Sequence, residues 1–158
     1  MSYNVDKFSS FTTSSNPTAQ SISTTYIEPT GSRVRFDFAA TTANVYYKYS
    51  FYVAQASTDP FFLHCKLQKS NDNFSSDIED ISGLAFNFSG DVEAGTNDTL
   101  DQTVNAMFVI TGLDKRHVRL MVRSYSTATA ASLHRSSNWD ASTSADVYYN
   151  PSLIAIEL

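Results

Sequence analysis

Apolar residues recur at every second position along most of the chain. In NVYYKYSFYV (44–53), Val45, Tyr47, Tyr49, Phe51 and Val53 fall on one face of an extended strand. Tyr46, Lys48, Ser50 and Tyr52 fall on the other. The same period of two runs through RVRFDF (33–38), FFLHCKLQ (61–68), VNAMFVI (104–110) and HVRLMVRSY (117–125), and SLIAIEL (152–158) is short and β-rich. Tyr26-Ile27 and residues 84–88 (LAFNF) predict further strands. Val, Ile, Tyr, Phe and Thr suit a pleated, half-buried surface, and side chains there alternate between faces.

The connectors are Pro29-Thr30-Gly31-Ser32, Thr58-Asp59-Pro60, Ser70-Asn71-Asp72-Asn73, Ser89-Gly90-Asp91 and Thr111-Gly112-Leu113-Asp114, all turn formers. Residues 77–82 (DIEDIS) have room for one helical turn, and 127–135 (TATAASLHR) for a short helix against the preference of its Thr and Ser. Many short strands between turns predict an all-β domain, a jelly-roll β-sandwich over residues 26–158. Residues 9–25 are polar and low in complexity, and residues 1–25 read as an extended N-terminal arm. Phe8, Phe11 and Ile22 leave two courses open for it: a loose terminus, or an edge strand docked on its own or a neighbouring chain.

A chain of 158 residues is long enough for one domain with a sizeable core. Only 17% of residues are charged, against about 25% in ordinary soluble domains, so a partner is expected to cover part of the surface. The net charge of −5 disfavours nucleic acid, whose phosphates need a basic face. No apolar run reaches the ~18 residues of a membrane span, and MSYNVDKFSS has no basic or apolar leader region, so neither a membrane nor a signal peptide is expected. The single cysteine, Cys65, excludes an internal disulfide and alternates with Leu63 and Leu67 as a small buried hydrophobe. Charge is unevenly spread. No Lys or Arg occurs between Ser70 and Asp114, and Lys115, Arg116, Arg119 and Arg123 follow at once. Either the basic strand meets an acidic loop, within the chain or across an interface, or both are solvated.

No catalytic residue, metal or cofactor is predicted. His64, His117 and His134 lack metal-ligand spacing, and no G-x-S-x-G elbow or phosphate-cradling loop occurs. Residues 91–101 offer Asp91, Glu93, Asn97, Asp98 and Asp101 as calcium-type oxygen ligands, but not at EF-hand spacing, and a solvated loop is the expectation. Trp139, between Asn138 and Asp140, is either a ring on which a sugar stacks or an aromatic plug at the end of the sandwich. Apolar groups on nominally outer faces (Tyr46, Tyr52, Phe62, Met107, Val109, Met121 and Tyr125), with Arg119 and Arg123 beside them, make the candidate subunit or capsid interface.

The strand string, with YYKYSFYV after a polar turn, then LQKSNDNFSS, and LIAIEL as the last strand, resembles the small trimeric jelly rolls of the TNF/C1q-like type found in tailed-bacteriophage virion proteins. The resemblance covers roughly residues 26–158 and implies no catalytic residues. It implies a homotrimer on a virion surface. The expectation is therefore a non-enzymatic virion component: a capsid decoration or cement protein that binds the major capsid protein or another virion protein. The alternatives are a receptor- or glycan-binding head domain of a phage fibre and, third, a hydrolase on a jelly-roll scaffold.

Overall fold

The computed structural model describes residues 3–5, 8–12, 18–56, 61–90, 99–125, 131–135 and 149–158. Its strands are β1 (Tyr3–Val5), β2 (Phe8–Thr12), β3 (Gln20–Ile22), β4 (Val34–Phe36), β5 (Ala43–Ala56), β6 (Phe61–Ser70), β7 (Glu79–Gly90), β8 (Thr99–Leu113), β9 (His117–Ser124), β10 (Ala131–Leu133) and β11 (Ser152–Glu157). No helix occurs among the described residues.

They form two sheets packed face to face. The first runs β1-β4-β9-β6-β7. In the second, β5 carries two partners in line on one edge, β11 along residues 45–50 and β10 along 53–55, and β8 along its whole other edge. β2 and β3 lie outside β11 and β10. From β4 onward the chain passes back and forth between layers, except that β6 and β7 follow one another in the first sheet and the short β10 precedes β11 in the second. That winding is jelly-roll connectivity. Described parts of residues 1–25 run as outer strands of this same chain.

The predicted faces account for the core. Val45, Tyr47, Tyr49, Phe51 and Val53 of β5 and Val104, Ala106, Phe108 and Ile110 of β8 point inward, onto Leu63, Cys65 and Leu67 of β6 and Val118, Leu120 and Val122 of β9. Burial pushes the Cys65 thiol far above its usual value, so it stays protonated and inert. Two breaks interrupt the ladders. β6 and β7 shift register between Lys66 and Gln68, where Gly83 (φ 76°) takes the left-handed backbone. β5 and β8 shift between Ala43 and Val45, where Asn44 Oδ1 accepts from the N–H of Gly112.

Both helical readings are corrected. Residues 77–82 lead into β7, and Ala131 and Leu133 are buried in strand β10 between β5 and β3. A strand there buries alternate side chains and pairs its backbone on both sides. A helical turn would have left the upper edge of β5 unpaired. Tyr26-Ile27 continues the line of β4 along β9: Ile27 and Val122 exchange backbone hydrogen bonds of 2.8 and 2.9 Å.

Candidate functional site

The sandwich presents two outer faces of different chemistry. On the second sheet, register places Ile156 beside Tyr46 beside Val109, and Ile154 beside Lys48 beside Met107. Ser152, Ser50 and Asn105 form the next row, where the Ser50 hydroxyl donates to Asn105 Oδ1 at 2.6 Å. Met107 and Val109 are 56% and 54% exposed, and Tyr46, Ile154 and Ile156 are half-buried. One wholly apolar row, and a second with Lys48 at its centre, thus run across the sheet to β8. The outer edge of β8 pairs with no strand among the described residues. Tyr52 stands apart from these rows. Its ring stacks on Tyr149 of its own chain, centroids 4.0 Å apart.

The outer face of the first sheet is polar and cross-braced. Arg119 bonds Gln68 twice (3.0 and 2.8 Å) and Glu28 (2.9 Å), and Arg33 bonds Glu28 twice (2.9 and 2.6 Å). Both guanidinium groups pack on the ring of Phe74, at 4.2 Å for Arg119 and 5.0 Å for Arg33. Phe74 reaches them from a tight loop organised by Asp72, which accepts from the N–H groups of Ser75, Ser76 and Asp77 and from the hydroxyls of Ser70 and Ser76. These bonds hold the Asp72 carboxyl far below the usual carboxylate range, that of the Ser76 hydroxyl most of all. Lys115 joins Asp77 and Glu79, and Lys69 joins Asp114 and Glu79. Of the basic residues that follow the acidic run, Lys115 meets it, whereas Arg116 pairs with Asp37 and Arg119 with Glu28, both N-terminal to the run.

Above this lattice lies a groove of about 570 Å³, bordered by Phe62, His64, Asn87, Ser89, Arg123 and Tyr125. Phe62 and Tyr125 meet edge-to-face at 6.2 Å and are 48% and 77% exposed. The Tyr26 ring lies under Arg123 (4.9 Å) and Lys66 (4.4 Å), and its hydroxyl is hydrogen-bonded to Nδ1 of His64. Burial first, then the charges of Arg123 and Lys66, lowers the pKa of His64.

The predicted interface residues divide between these faces. Tyr46, Tyr52, Met107 and Val109 belong to the second sheet, and Phe62, Met121, Tyr125, Arg119 and Arg123 to the first. Met121 is buried, only 9% exposed. Asn138, Trp139 and Asp140 lie outside the described residues, as do residues 91–98 of the acidic loop. His64 and His117 sit on the outer face of the first sheet, and His134 is buried at the end of β10. No group of three or more His, Cys, Asp or Glu suited to a metal ion occurs among the described residues, and no helix there is long and apolar enough to cross a membrane. Ile154, Ile156, Asn87 and Ser89 were not singled out from sequence. The alternation within SLIAIEL, with Leu153 and Ala155 inward, carries the signal for the two isoleucines.

No family model matches the chain, and no curated protein matches it. Solved structures similar to it include that of the infectious bursal disease virus Gx strain (11% identity, TM-score 0.45), over 96% of this chain and 32% of that one. The Gt strain of that virus gives 13% identity and a TM-score of 0.35, over 96% of this chain and 36% of that one. Dimeric latent PorU from Porphyromonas gingivalis gives 10% identity and a TM-score of 0.39, over 88% of this chain and 10% of that one. The chain spans about a third or less of the length of each.

Proposed function

We propose that this chain is a non-enzymatic structural protein of a virion, a homotrimer that decorates a capsid surface and cements neighbouring capsid subunits. The observation that supports assembly is the outer face of the second sheet, where Met107 and Val109 are more than half exposed beside Tyr46, Ile154 and Ile156. Single exposed apolar side chains are ordinary, but two adjoining rows beside an open strand edge are the surface that burial against a second copy would stabilise. Lys48 within the rows gives a fixed charge that sets register rather than strength. The capsid and the trimer come from the resemblance of YYKYSFYV, LQKSNDNFSS and LIAIEL to trimeric phage jelly rolls.

Light scattering on a sizing column tests the assembly. Wild type is expected as a trimer at micromolar concentration, and Met107→Glu with Val109→Glu as a folded monomer. A wild-type monomer would overturn the reading. Co-sedimentation with undecorated capsids tests the cement role, which fails if the trimer stays in the supernatant.

A further inference from the structure

We propose that the groove between Phe62 and Tyr125, on the outer face of the first sheet, binds a carboxylate-bearing sugar. This site is independent of the assembly face, which lies on the other sheet.

The argument starts from Arg123. Arg33, Arg35, Arg116 and Arg119 each pair with a carboxylate. Arg123 borders the groove and makes no ion pair among the described residues. Its contact is with the Tyr26 ring, 4.9 Å away. A guanidinium that borders a groove without a carboxylate partner is answered best by a carboxylate, whose planar geometry accepts two parallel bonds. Among the described residues, no Asp or Glu lines the groove, although the chain as a whole carries a net charge of −5. The missing anion is therefore expected from a ligand.

The remaining walls describe the rest of that ligand. Tyr125 and Phe62 are exposed rings set edge-to-face, so each offers a flat apolar surface to the C–H face of a pyranose. Asn87 and Ser89 stand opposite His64 and Phe62 in the β6–β7 ladder, both exposed, with an amide and a hydroxyl for sugar hydroxyls. His64 is engaged through Nδ1 by Tyr26, so Nε2 remains for one more hydroxyl. With its pKa lowered, the ring is neutral at pH 7. An acidic peptide side chain would answer Arg123 alone and leave the three polar groups around it unused. A carboxylated sugar ring answers all of them.

The test uses oligosaccharides ending in glucuronic acid or N-acetylneuraminic acid, their neutral glucose- and galactose-terminated counterparts, and a Glu-rich peptide. Ligand-observed NMR and amide shift mapping read binding. The acidic sugars are expected to bind and to shift amides of β6, β7 and the end of β9, with the neutral ones at least tenfold weaker. Arg123→Gln and Tyr125→Ala should each weaken binding tenfold or more. Met107→Glu, on the other sheet, should bind as wild type even if it no longer assembles. Tyr125 is 77% exposed, so its variant folds and keeps the test decisive if Arg123→Gln does not. The proposal is overturned if no acidic sugar binds, if neutral sugars or the peptide bind as well, or if Tyr125→Ala binds like wild type.

Discussion

The hydroxyl of Tyr47 donates to the backbone carbonyl of Ser32 from inside the core, where the Tyr47 ring has no exposed surface. Two residues along β5, the Tyr49 hydroxyl donates to the carbonyl of Thr30 at 2.5 Å. Together they pin the 29–32 turn that leads into β4. This is why tyrosine stands at inward positions where phenylalanine would fill the same space. Tyr47→Phe keeps the ring and removes one donor from a buried carbonyl, so it should cost about 1–2 kcal/mol. Urea unfolding is expected to show a lower midpoint at unchanged slope. Burial, with Glu28 adding to it, raises the Tyr47 pKa well above 10.0. The folded state therefore favours the neutral phenol. That stability is present below about pH 10 and is lost as pH rises through the raised value. The Phe variant should lack this alkaline component.

His134 should set the first acid-sensitive step. It is buried in the left-handed backbone region (φ 65°), its N–H donates to the Tyr52 carbonyl at 2.8 Å, and its own carbonyl accepts from Tyr149. Nε2 lies 3.1 Å from Gln20 Oε1, and Nδ1 is buried without a partner. Burial pushes the imidazole down to about 4. The unfolded value is near 6.5, so the stabilisation is complete above about pH 6.5 and is lost as pH falls toward 4, amounting to roughly 3 kcal/mol at most. His64 and His117 are lowered in the same direction. His134→Asn tolerates the same backbone and cannot be charged. Its unfolding free energy, measured by denaturant titration from pH 7 to 4, should fall less steeply than that of wild type.

The loop that carries Phe74 should depend on one carboxylate. Asp72 holds the N–H groups of Ser75, Ser76 and Asp77 at 3.1, 2.8 and 3.0 Å. Asp72→Ala is expected to speed amide hydrogen exchange at these three positions by tenfold or more, with β5 amides unchanged. Because the folded carboxyl titrates below its unfolded value, its contribution is full above about pH 4 and disappears only as pH falls through the lowered value. Wild-type protection of the loop should therefore survive at pH 4. Equal exchange in variant and wild type would show that Asp72 does not organise the loop.

Period-two alternation was enough to name the core. Every inward residue of 45–53 is buried, as are Leu63, Cys65, Leu67, Val118 and Leu120. Alternation tells which residues share a face of one strand and says nothing about which sheet that strand joins. This is why Met107 and Tyr125, both legible as outward apolar groups, could not be assigned to different sides of the sandwich. Their separation depends on β8 pairing β5 and β9 pairing β6, which long-range connectivity decides. The covered state of Met121 was hidden for a related reason. Its neighbours Arg119 and Arg123 pack on Phe74 and Tyr26, which come from loops distant in sequence. The groove combines β6, β7 and the end of β9, so no contiguous motif could announce it.

Tyr46 and Tyr52 share one face of β5 yet should answer differently to mutation. Tyr46 lies in the apolar row between Ile156 and Val109, so Tyr46→Ser should weaken assembly while leaving monomer stability nearly unchanged. The Tyr52 ring stacks on Tyr149 at 4.0 Å with planes 19° apart, and its carbonyl accepts the N–H of His134, so it belongs to the fold of the monomer. Tyr52→Ala and Tyr149→Ala should each lower stability by about 1–2 kcal/mol, and the double variant should fall short of their sum by about 1 kcal/mol, the coupling of a stacked pair. A double-mutant cycle by chemical denaturation, run in a background carrying Met107→Glu with Val109→Glu so that every species is a monomer, separates the two effects. Strict additivity would mean that the rings do not support each other, and that Tyr52 has to be counted with the assembly face.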